Sequence, residues 1–173
     1  MRWSPRTVRW CFGGAALLYA LGIAYLSSRT RGQLQTPFSG SSLSLLHVPL
    51  HGVLALLVLR TLVPLGDGNR SWPGCFTWSG AIVLAVILLH GMVDEVHQHF
   101  VPGRTCSLFD ACLDACGALM VLLAPWPRGP GRPANLFPLL FVGILAALLA
   151  YVLPDWFPGV DGAIEGWIAS AGT

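Results

Sequence analysis

All five histidines and four of the eight acidic residues of this 173-residue chain fall in three short windows. His47 and His51 form the first. His90, Asp94, Glu95, His97, Gln98 and His99 form the second, and Asp110 and Asp114 the third. An imidazole moves protons near neutral pH. A neighbouring carboxylate orients it or acts as a base itself. Arg104, between the second and third windows, offers a planar fork suited to phosphate. Together these types suit phosphate-ester chemistry or recognition of an anionic group. On helices the spacings are ordered. His47 and His51 share a face, as do Asp110, Asp114 and Gly117. His90, Asp94 and His97 form one stripe, with Glu95 and His99 on the next and Gln98 between them.

The elements that position these groups follow from composition. Apolar residues make up 54% of the chain and charged residues 10%, against roughly 25% charged in a soluble domain. Mean hydropathy is +0.66. A soluble, disordered, coiled-coil or classical DNA-binding chain is disfavoured. The net charge of +2 gives no sign of a nucleic-acid partner. The five cysteines contain no CxxC pair, so no zinc ribbon or redox motif is suggested.

Five apolar segments approach the roughly 20 residues that a membrane-spanning helix needs. They run over 8–26, 43–65, 78–99, 108–126 and 136–153. Helices are expected, because a chain in lipid must satisfy its own backbone polar groups. The expected fold is therefore an all-α polytopic transmembrane bundle of about five spans over residues 1–153. A short extracytoplasmic interfacial tail, 154–173, follows. The first segment is expected to remain as an anchor, since no convincing cleavage site follows Leu26. With the N-terminus in the cytoplasm, seven arginines (2, 6, 9, 60, 70, 128 and 132) fall inside and three (29, 31 and 104) outside. That bias selects this orientation and puts the C-terminus outside.

In this topology three helices bring their polar residues to one depth near the outer side. Pro49 is expected to kink its span and free a carbonyl. Gly117 should let another helix approach closely. The short connection 101–107 makes the third and fourth spans antiparallel neighbours and holds Arg104 over the cluster. Ser107 can cap the fourth span.

The run Asp94-Glu-Val-His-Gln-His-Phe-Val-Pro-Gly-Arg-Thr-Cys-Ser-Leu-Phe-Asp110, with Asp114 and Gly117 after it, resembles the signature of the VanZ-like membrane proteins. Glu95, Gln98, Arg104 and Asp110 fall on that signature, and His47 on its upstream histidine. The resemblance covers about 20–125, with a signature core at 47–117. Asp114 stands where the family usually has Asn, His51 where Tyr is usual, and Ser44 where a Lys commonly precedes the histidine. The resemblance implies a bacterial inner-membrane protein of the cell envelope, the name-giving member being associated with resistance to the glycopeptide teicoplanin.

Three uses of the cluster stand side by side. It is a structural lock between helices, with Arg104 clamped to Asp110 or Glu95. Or it acts on a lipid-linked phosphate, such as a polyprenyl phosphate, with Glu95, Asp110 and His47 catalytic. Or it binds such a ligand unchanged, through Arg104, Gln98, His51, Asp94 and Asp114. A homodimer is compatible with all three. His47 and His51 with Asp94, Glu95 or Asp110 are a conceivable metal set, but no metal or other cofactor is expected.

Overall fold

The computed structural model describes residues 4–30, 44–63, 77–104 and 106–124, together with positions 162, 166, 167 and 170. Four helices carry the described architecture: α1 (Pro5–Ser27), α2 (His47–Leu62), α3 (Trp78–His99) and α4 (Leu108–Leu123). The described residues are all-helical, without a strand. The expected count of about five spans is not supported: four helices are described, and the fifth segment, 136–153, lies outside the described residues. So does most of the tail, of which positions 162, 166, 167 and 170 are helical and exposed.

Local sequence sets the helix ends. Ser4 accepts from the amide of Thr7, and Pro5 opens α1 where no backbone donor is needed. Thr77 caps α3 through the amide of Gly80 at 3.1 Å, and Ser107 caps α4 through that of Asp110. Between α3 and α4 the amide of Arg104 bonds the carbonyl of Val101 at 3.0 Å. Pro102 and Gly103 are the central pair of that turn, and Gly103 has φ +78°. Proline followed by a left-handed glycine is the sequence of a type II turn.

α2 departs from expectation. It begins at His47, so Pro49 lies in the first turn. First-turn amides have no intrahelical acceptor, so the proline removes nothing there. The expected mid-span kink gives way to a proline at a helix start.

α1 and α3 are long and apolar enough to cross a membrane, and α2 is apolar but shorter. Leu17, Leu18 and Leu21 on α1 and Leu89, Met92 and Val93 on α3 remain exposed. An apolar surface of this kind is what lipid contact requires, and these features point to a membrane protein.

α4 packs closely against both α2 and α3, and α1 lies against α2. One apolar cluster joins Ile23, Leu54, Leu59, Val83, Ile87 and Leu122, and a second joins Val48, Phe109, Leu113 and Cys116. The α2–α4 contact depends on glycine. A Cβ on Gly117 would strike the carbonyl oxygen of Val48 and lie 2.8 Å from the amide nitrogen of Gly52. Backbones this close have no room for a side chain. Gly14 and Gly22 have nothing within 4 Å, so neither is a packing notch among the described residues.

Gly117→Val should destabilise the bundle by about 1–3 kcal/mol, the usual cost of overpacking. Gly14→Ala should leave the melting temperature unchanged or slightly higher. Thermal unfolding of the two variants in one detergent checks both.

Candidate functional site

The polar residues collect at one end of the bundle, where α1 and α3 finish and α2 and α4 begin. Asp114 is at the centre, with a side chain wholly buried between α2, α3 and α4. Its Oδ1 lies 2.9 Å from Nδ1 of His47 and 2.6 Å from Nδ1 of His51. A carboxylate only accepts, so both Nδ1 atoms carry hydrogen and donate. His51 also faces the carbonyl of His47 at 3.2 Å and Nδ1 of His90 at 3.1 Å. Room for the carboxylate comes from α3. A Cβ on Gly91 would collide with Asp114 Oδ2. One turn of each helix thus supplies one part: two histidines from α2, a gap from α3 and a carboxylate from α4.

Anchoring Nδ1 of His47 turns its other nitrogen outward. Nε2 lies 4.0 Å from Oδ2 of Asp110, and both side chains are about one-sixth exposed, at 16% and 15%. Glu95 stands beside them. One ring nitrogen of His47 and one oxygen each of Glu95 and Asp110 all lie within 4.8 Å of one another. Glu95 is only 3% exposed. Its Oε2 accepts from the amide of Ser107 at 2.7 Å, while Oε1 is buried without a hydrogen-bond partner among the described residues. Asp110 Oδ1, Asp94 Oδ1 and Asp114 Oδ2 are in the same condition. Buried oxygens of this kind are costly and call for an explanation.

Asp94 and Gln98 face elsewhere. Oδ2 of Asp94 accepts from Ser27 of α1 at 2.7 Å and from Gln98 at 2.8 Å. This pair therefore ties α3 to α1 and does not join Glu95 and Asp110. Next to it the hydroxyl of Ser28 meets Nε2 of His97 at 2.9 Å. The sequence reading put the nest on three helices and missed α1. Ser27 and Ser28 gave no signal beyond being polar residues at the end of an apolar run.

Arg104 is half-buried at the rim. Its Nε donates to the carbonyl of Arg29 at 3.3 Å, so the turn after α3 is fastened to the end of α1. The expected clamp from Arg104 to Asp110 or Glu95 does not form. Among the described residues, the ion-pair contacts all involve His47 or His51. Arg29 itself stacks on Tyr25 and bonds its hydroxyl.

The model of the VanZ/LLP1 family matches residues 15–126. The chain belongs to the VanZ/LLP1 family. The match takes in α2, α3 and α4 whole and most of α1, and so contains every residue of the polar end. No curated protein and no solved structure matches the chain. Family membership and the two long apolar helices agree on a VanZ-like membrane protein.

Asp114→Ala would strand the buried His51 donor and the partly buried His47 donor and should cost about 1–3 kcal/mol. Asp110→Ala, at the open face, should cost clearly less. Denaturation midpoints of the two variants in detergent make the comparison.

Proposed function

We propose that this VanZ/LLP1 chain takes an anionic, lipid-linked cell-envelope intermediate, such as a polyprenyl phosphate, at the face made by His47, Glu95 and Asp110, and acts on its phosphate. The observation that carries the reading is the position of His47. Asp114 holds one of its ring nitrogens, and the other is turned toward two carboxylates, each with a buried oxygen that has no partner among the described residues. A lock between helices needs no such open face. The groups that serve as the lock are distinct: Asp114 with His51 and His90, and Asp94 with Ser27 and Gln98. An ion or polar group in an apolar bundle usually marks function.

A lipid-linked ligand fits the placement. Its tail lies along the exposed apolar helices, and its head group reaches the polar end without leaving the membrane. In the orientation chosen by the arginine bias, with the N-terminus in the cytoplasm, that end faces outward. Arg104 at the rim supplies the fork for the phosphate. The family's association with teicoplanin resistance fits an outward-facing step on envelope precursors.

Purified chain in nanodiscs should bind a labelled polyprenyl phosphate and not the corresponding phosphate-free polyprenol. His47→Ala and Arg104→Ala should each weaken binding by at least about tenfold, or ~1.4 kcal/mol. Phosphate release or transfer should vanish in Asp110→Asn. Arg60→Ala, at the opposite end of α2, should behave as the unaltered chain. Equal binding of phosphate and polyprenol, or equal loss at Arg60 and Arg104, would refute the reading.

A further inference from the structure

The open face has a charge problem. Glu95 and Asp110 confront the same imidazole, with Asp114 behind it, so three carboxylates share a small apolar region. A phosphate brought there meets like charge. Arg104, fastened to the carbonyl of Arg29, is a counter-charge at the rim.

We propose that His47, Glu95 and Asp110 hold a divalent cation of the manganese or zinc class, which bridges the protein to the phosphate. This rests on the reading above for the ligand it serves. One imidazole nitrogen and two carboxylate oxygens make a mixed donor set for such ions, with positions left over for water or phosphate oxygen. Bonds of about 2.1 Å place two ligand atoms no more than about 4.2 Å apart. That limit holds only for opposed ligands; neighbours around such an ion stand roughly 3.0–3.4 Å apart, so the three atoms, which lie within 4.8 Å of one another, close the site with shifts of up to about 1.5 Å. Oε1 of Glu95, buried and unpartnered on a side chain 3% exposed, then has its partner. Asp110 offers Oδ2, the oxygen 4.0 Å from Nε2 of His47. Asp114 takes the role of the carboxylate behind a ligating histidine, fixing the ring so that Nε2 presents its lone pair. Any proton on Nε2 leaves to water as the ion arrives.

His47, His51 and Asp114 also cluster, but they are not the ion site. Their N···O distances of 2.9 and 2.6 Å are hydrogen-bond lengths. Ligands around a tetrahedral ion with bonds of about 2.05 Å stand roughly 3.3 Å apart. The His51 and Asp114 side chains are also fully buried, which leaves no entry path.

The test uses the metal alone. Full-length protein stripped with EDTA is dialysed against Mn2+ or Zn2+ without added polyprenyl lipid, and metal content is measured. About one ion per chain is expected. Glu95→Gln, which keeps an acceptor for the Ser107 amide, and Asp110→Asn should each weaken uptake by at least about tenfold. Asp114→Asn, a positioning change, should weaken it about ten- to a hundredfold. Asp94→Asn should leave it unchanged. Melting temperatures in metal-free buffer show that each variant is folded, and the rise on adding metal should be lost with Glu95 or Asp110. No stoichiometric ion in the unaltered chain, or full uptake by both Glu95→Gln and Asp110→Asn, overturns the proposal. An ion held without any polyprenyl phosphate binding supports the metal site and refutes the lipid reading. Lipid bound equally with and without EDTA overturns the bridge and leaves the lipid reading standing.

Discussion

The organisation of this bundle turns on one carboxylate. Asp114 sits fully buried among apolar helices, where an unpaired charge or an unsatisfied oxygen is expensive. It is tolerable because two imidazoles from the first turns of α2 donate to it, and because Gly91 leaves space on α3. Those demands fix how far α2 and α4 are rotated and how closely they approach. Gly52 and Gly117 then set the distance, with backbone against backbone. Apolar packing of Leu54, Leu59, Ile87 and Leu122 further along the bundle is generic by comparison. It would accept several registers, whereas the Asp114 pairing accepts one.

That fixed register divides the polar residues into two kinds. Those that point inward bond neighbouring helices and close the bundle, His51 with His90 and Asp94 with Ser27 and Gln98, although Asp94 Oδ1 and Asp114 Oδ2 are also without a partner among the described residues. Those on the rim side of Asp114 do not close. His47, Glu95 and Asp110 stand a little too far apart to bond one another and keep oxygens without partners. A protein built only for stability would replace such groups with apolar ones at no loss. Their presence at the open edge of the polar end is the physical reason to assign them a ligand.

Much of this was legible in residue types and spacing. α3 has the expected bounds, since Thr77 precedes an unbroken apolar run and the Pro-Gly turn follows it closely. The i,i+4 pairs on α2 and α4 did face one another, and Gly117 did mark the helix crossing. The rest depended on tertiary choices that no periodicity reveals. Gln98 lies one turn beyond Asp94 and bonds it, away from its sequence neighbour Glu95. Ser27 joined through a contact spanning 67 positions. Arg104 was expected to find a carboxylate, yet its turn delivers Nε to the carbonyl of Arg29. Pro49 read as a kink because the apolar run began before it, but the helix starts only at His47.

The central claim is that Asp114 holds His47 by Nδ1 and so aims its other nitrogen at Glu95 and Asp110. Solid-state NMR on 15N-histidine, 13C-aspartate protein in bilayers reads this directly. The account predicts a proton on His47 Nδ1, with a dipolar coupling to the Asp114 carboxyl carbon that disappears in Asp114→Asn. An Nδ1 without a proton, or a coupling from Nε2 to Asp114 instead, would reverse the ring and contradict the account.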